Sequence, residues 1–189
     1  MRLDYTPPSA WMGLEHFLNW LIITKQPEIF VEVGVYNGFS YFCACQTVKA
    51  HELKTSCYGV DTWQGDIHTE YPNGDEIFTT VTMHNDNFYK DFSRLIRKPS
   101  VEAARDFENR SLDIIHIDAG HRYEDIKGDF FAWLPKMKKG SVVLIHDVVC
   151  TGPEIGVNRF WNEVMQFFPS FHIDYSYGLG VLTIDRYPE

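Results

Sequence analysis

Long apolar runs are missing from this sequence. No stretch approaches the roughly 20 residues that a bilayer-crossing helix needs. The first twenty residues, MRLDYTPPSAWMGLEHFLNW, lack a basic head followed by an uninterrupted apolar segment, so a secretory leader is not expected. Cysteine is scarce. Cys43, Cys45, Cys57 and Cys150 form no C-x-x-C pair, so buried reduced thiols are expected rather than a disulfide framework or a zinc site. Clustered Lys and Arg are missing as well. With a net charge of −9 and no basic run, a nucleic-acid groove is not expected, because phosphate binding needs gathered cations. There is no internal repeat, low-complexity tract or linker. What remains is a cytoplasmic protein with no membrane span, handling small or neutral substrates.

What is present fits one domain. The 189 residues suffice to bury a real core, and 44% hydrophobic with 23% charged residues is an ordinary globular balance that argues against extended disorder. After PPS, AWMGLEHFLNWLIITK has helical periodicity with Trp11, Leu14, Phe17, Leu18 and Leu21 on related faces, giving an N-terminal helical segment over residues 1–27. Strands are then expected at EIFVEVGVY, SCYGVDTW, FSRLIRKPS, LDIIHID and GSVVLIHDV, and helices at GFSYFCACQTVKAHELK, VEAARDF, YEDIKGDFFAWLPKMK and GVNRFWNEVMQFF. FHIDYSY and GVLTI read as an antiparallel hairpin closing one edge. Residues 63–90, punctuated by Gly and Pro and rich in aromatics, read as a mobile lid carrying one helix, with His68 and His84 in it. Alternating strands and helices predict an α/β fold: a mostly parallel sheet covered on both faces, with ligands beyond the carboxyl ends of its strands.

Acids stand at those ends. Glu32-x-Gly34, Asp61, Asp118 and Asp147 all fall at or near predicted strand exits, where single Asp caps are common but four together favour a polar ligand site. In EVGVYNGFS, residues 32–40, a dinucleotide fingerprint would want Gly at the places of Glu32 and Asn37. Gly34 suits a tight turn and Gly38 a close approach of backbone to a ligand. A carboxylate at Glu32 repels a pyrophosphate and attracts an ammonium group, while Asp61 stands where an acid accepts ribose hydroxyls. A nucleoside carrying a cationic amino acid, such as S-adenosylmethionine, meets both demands. The plainer alternative is a structural turn with unrelated acids, and a nicotinamide oxidoreductase is disfavoured by Glu32.

EVGVYNGFS, YGVDTWQGD, IIHIDAGHRYEDIKGDF and VVLIHDV, in this order and spacing, resemble the class I S-adenosylmethionine-dependent methyltransferases. Together with GVNRFW and YGLGVL they are similar to the small branch found alone or fused to glycosyltransferases, over residues 28–183. The resemblance implies a Rossmann-like, seven-stranded, mostly parallel sheet with an antiparallel last strand. It also implies that Glu32, Gly34, Tyr36, Gly38, Ser40, Asp61 and Asp118 hold the donor, with Trp63 near adenine.

Asp118 and His121 answer to the acceptor. Moving a methyl from sulfonium to a hydroxyl needs alignment and a base of near-neutral pKa, and His121, just past a strand exit, is the expected base. Its alternative is a structural hydrogen-bonding histidine. Asp118-Ala-Gly-His121 also resembles the Asp-x-x-His element of metal-dependent O-methyltransferases, including those acting on macrolide sugars. Asp118 and Asp147 could then share a divalent cation, Mg or Mn, that acidifies the acceptor. His146-Asp147 stands where those enzymes carry two acids or an acid and an amide. A His146 ligand would shift preference toward Mn or Fe, and without it two protein ligands remain. His116 reads as a satisfied core side chain, Glu124 as a helix-dipole partner, and Arg159 and Trp161 as either sugar contacts or packing. Three functions stay open: an O-methyltransferase for a sugar or glycan hydroxyl, one for a catechol-like or other small metabolite, and a donor-binding module without turnover that partners a glycosyltransferase.

Overall fold

The computed structural model describes residues 3–65 and 73–186. The His68 expectation lies outside them. Among the described residues seven strands form one sheet: β1 (Ile29–Val33), β2 (Ser56–Asp61), β3 (Ser93–Arg97), β4 (Leu112–Ile117), β5 (Met137–His146), β6 (Ser170–Ile173) and β7 (Leu179–Thr183), in the order β3-β2-β1-β4-β5-β7-β6. The first five pair in parallel, and β7 runs antiparallel to both β5 and β6. Helices α1 (Glu15–Lys25), α2 (Phe39–Ala50), α3 (Gly74–Phe88), α4 (Ser100–Ala103), α5 (Tyr123–Trp133) and α6 (Val157–Val164) cover it. No described helix is long and apolar enough to cross a membrane.

The pleat sorts the central residues into two cores. Phe30, Ile114 and Leu144 pack with Leu18, Ile22 and Phe42 of α1 and α2. Val31, Val33, Ile115 and Ile145 pack with Phe130 of α5 and Phe160 of α6. Since side chains alternate along a strand, Glu32 falls on the Phe30 side, and its direct neighbour across the β1–β4 pair is His116. Two titratable groups thus face an apolar layer.

Local boundaries differ from expectation where backbone chemistry intervenes. Trp11–Gly13 form a turn rather than helix, with Gly13 at φ +99°, and α1 begins only at Glu15. The expected fifth helix stops short of its KMK end: Pro135 lacks an N–H to continue the helix, a 3-10 turn spans Leu134–Lys136, and Met137 already pairs with Leu112. Within the 63–90 stretch, α3 packs Val81 and His84 against the sheet-covering layer, where His84 meets Phe42 and Tyr89.

Candidate functional site

The loop after β1 is bracketed by its neighbours. The Gly34 amide donates to the Val60 carbonyl and the Asp118 amide to Val33, both at 2.8 Å. Gly34 has φ +90°, and a Cβ there would lie 1.9 Å from the Asp118 carbonyl oxygen, so only glycine lets β1 and β4 exit side by side. Gly38 serves a different purpose from the one expected. It caps α2 at φ +86° and lies against the Phe42 ring rather than in a cavity wall.

Asp61 accepts the Tyr36 amide at 2.8 Å and the Trp63 amide at 2.7 Å, which ties the β1 and β2 loops together. Burial raises its pKa while the backbone amides oppose the rise. Trp63 is buried, donates its indole N–H to the Tyr36 carbonyl at 2.8 Å and packs on Phe78. It lines neither of the two large cavities described below.

Glu32 lies below the cavities rather than in their walls. Its carboxylate is fully buried, accepting from Ser40 Oγ at 2.9 Å on one oxygen and from His116 Nδ1 at 3.0 Å on the other. It therefore cannot touch an ammonium directly, and Ser40, which does line a cavity, stands between. Burial raises the Glu32 pKa, against the lowering effect of His116 and Ser40. His116 is a satisfied core residue, as read, although its partner is the motif acid itself.

Above the sheet, β4 and β5 deliver Asp118, His121, His146 and Asp147 to one place. Asp147 sits at φ +63°, a left-handed conformation that Asp tolerates, and accepts from His121 Nε2 at 2.9 Å. The His121 carbonyl is pinned by the Gly156 amide at 2.8 Å. His146 is spoken for on both ring nitrogens: Nε2 donates to the Ser176 carbonyl at 2.8 Å and Nδ1 faces Asp118 at 3.2 Å. Burial works against charge on His146, but Asp118 and Asp147 outweigh it and hold the imidazolium, with a pKa of about 11. Burial would likewise raise Asp147, yet its bonds from His121 and His146 pull it well below the carboxylate range. His146, expected as a metal ligand, has both ring nitrogens already facing protein oxygens. Among the described residues, the group that gathers ligand atoms is Asp118, His121 and Asp147, all within 4.8 Å of one another.

Two cavities meet at this cluster. One, of about 710 Å³, runs from Val60 and Asp61 past Ser100 and Val101 to Asp129. The other, of about 690 Å³, is walled by Trp11, Tyr36, Ser40, Asp147 and Tyr177. Gly34, Asp118 and His121 border both. Sequence reasoning missed the walls supplied by the N-terminal segment Pro8–Met12 and by Ser176–Tyr177; PPS and YGLG were visible, but nothing in them says where they fold. Trp161 is core, and Arg159 lies 4.2 Å over the exposed face of Tyr123 rather than in either cavity.

A family model described as a methyltransferase domain matches residues 31–148. The chain belongs to this methyltransferase family. The protein y4gI of Sinorhizobium fredii, itself uncharacterized, is 44% identical over 178 residues, which are 94% of this methyltransferase and 19% of that relative's length. The chain therefore spans about a fifth of the curated relative it matches. Among solved structures, the O-methyltransferase TomG from Streptomyces achromogenes, involved in tomaymycin synthesis and crystallised with SAM, is similar with a TM-score of 0.69 and 14% identity over 97% of this chain and 84% of that one. An O-methyltransferase from Bacillus cereus in complex with SAH gives 0.66 and 14% over 95% and 82%. At such identity these likenesses speak to the fold, which is the Rossmann-like fold of class I methyltransferases.

Proposed function

We propose that this methyltransferase uses S-adenosylmethionine to methylate a sugar or glycan hydroxyl, with His121 as general base. The observation that carries the reading is the position of His121 on the shared wall of two cavities, the first suited to the donor's nucleoside and the second with room for its amino-acid end and an acceptor. Asp61 would take the ribose hydroxyls, Ser40 the amino-acid end, and Gly34 would let the sulfonium pass close to Asp118. The acceptor oxygen, beside His121, attacks the methyl carbon in line. The carbon–sulfur bond breaks, its electron pair stays on sulfur as the thioether, and the hydroxyl proton passes to His121. Asp147, accepting from Nε2, would orient the ring and stabilise the imidazolium that forms.

A divalent cation fits the same cluster. Asp118, His121 and Asp147 would hold it with two carboxylates and one imidazole, a mixed set that suits Mn better than Mg. When bound, the ion would lower the acceptor hydroxyl pKa. It competes with the base for His121, so exhaustive chelation separates the two: turnover that persists assigns His121 as base, and turnover that vanishes and returns with Mn assigns it as ligand.

The length of the relative supports a role beside other domains, and a glycosyltransferase, as partner or fused, is the one we propose. We further read the chain as a single cytoplasmic methyltransferase domain whose first 27 residues form an N-terminal segment. A screen of glycans and sugar nucleotides with methyl-labelled donor tests the assignment. Label on a sugar hydroxyl supports it. Label only on catechol-type acceptors shifts it to small metabolites, and SAH binding without transfer to any acceptor would make the domain a donor-binding module.

A further inference from the structure

Trp11 lies 105 residues from His116 in sequence, yet its indole nitrogen is 3.1 Å from His116 Nε2. An indole N–H can only donate. Nε2 must therefore carry the lone pair, and the ring proton sits on Nδ1, which donates to Glu32 at 3.0 Å. The other Glu32 oxygen takes the Ser40 hydroxyl proton at 2.9 Å. A row of buried hydrogen bonds thus has its direction set from one end: Trp11 to His116, His116 to Glu32, with Ser40 also donating to Glu32. Because the Ser40 proton is committed inward, its oxygen turns lone pairs toward the second cavity.

Trp11 belongs to the segment that walls that cavity from the other side. Asn37 Nδ2 donates to the Pro8 carbonyl at 2.6 Å, Tyr5 Oη donates to the Asn37 carbonyl at 2.9 Å, and Ser176 Oγ donates to the carbonyls of Ala10 and Met12. The N-terminal segment is thereby fastened to the donor loop and to the β6–β7 loop, with Trp11 as its buried anchor.

We infer that Trp11 is a positioning residue for the donor: through His116 and Glu32 it fixes Ser40 as a hydrogen-bond acceptor for the ammonium at the amino-acid end of S-adenosylmethionine. This rests on the donor reading above and extends it to a residue outside the matched family region. The buried Glu32 charge acts on the ligand at one remove, through the Ser40 hydroxyl, and its proton order depends on an indole in a different part of the chain.

Calorimetry with two probes tests the inference. S-adenosylhomocysteine carries the amino-acid end, and 5′-methylthioadenosine lacks it. Trp11→Phe keeps the aromatic bulk and removes the donor, and we expect it to weaken S-adenosylhomocysteine about tenfold, the scale of one charge-assisted hydrogen bond, while leaving methylthioadenosine within twofold. In a Ser40→Ala background the same change should cost nothing further. Equal loss for both probes, or none for either, overturns the inference, as does an additive effect with Ser40→Ala. If Trp11→Phe fails to fold, nitrogen-15 shifts of His116 in the unmodified protein decide: a protonated Nδ1 with bare Nε2 supports the row, and the opposite tautomer overturns it. Failure of the unmodified protein to bind S-adenosylhomocysteine would instead sink the donor reading itself.

Discussion

Two acid–histidine pairs lie close together in this sheet, and they divide structure from chemistry. Glu32 and His116 meet inside the layer beneath α1 and α2, with both side chains at 0% exposure and every polar atom of the pair engaged. Asp147 and His121 meet above the strand ends at 13% and 23% exposure, on the border of two cavities. The residue types are almost the same. What differs is access: the lower pair is closed inside the fold, and the upper pair borders the cavities, where the proposed reading has it exchange a proton with a ligand.

Breaking each pair should therefore give opposite signatures. The largest expected effect is on catalysis. His121→Ala should lower the methyl-transfer rate by about 10²–10⁴ while S-adenosylhomocysteine affinity stays within twofold and stability changes by less than about 1 kcal/mol, as labelled-donor turnover, calorimetry and urea titration would show. His116→Ala should do the reverse at the level of the fold. It leaves one Glu32 oxygen and the Trp11 N–H buried without partners, so urea titration should register a loss of about 3 kcal/mol. If His116→Ala proves as benign as His121→Ala, the division between the pairs is wrong.

A smaller effect probes a third acid. Asp129 is buried on α5 at the far end of the first cavity, where burial lifts its pKa to about 6 despite a hydrogen bond from Ser100. A carboxyl whose folded pKa lies above its unfolded value favours the fold fully below pH ~4, and that contribution is lost as pH rises through about 6. Asp129→Asn should accordingly raise stability by about 2 kcal/mol at pH 8 and by almost nothing at pH 4, measured by denaturation at both values. A gain that does not vary with pH would mean that packing, not charge, limits this position.

The sheet was legible because its strands and helices alternate cleanly, and the antiparallel edge because Gly178 and Gly180 punctuate two short β-rich runs. That Asp118 lies beside Asp147 and shares a cavity with Asp61 followed from the rule that ligands gather at strand ends. Orientation was not legible. β1 is buried on both faces, so IFVEV shows no polar alternation, and nothing local says that Glu32 points down into the core rather than up at a ligand. Nor could spacing reveal Trp11 against His116, or His146 held as a cation between two carboxylates, since both depend on side chains from distant segments meeting.

The account turns on His121 facing both donor and acceptor. A crystal structure with S-adenosylhomocysteine bound tests this most directly. We predict ribose hydroxyls on Asp61, the amino-acid end on Ser40 and the sulfur beside Gly34 with its methyl-transfer direction open to His121. A ligand whose sulfur points away from His121, or that leaves Asp61 untouched, would contradict it.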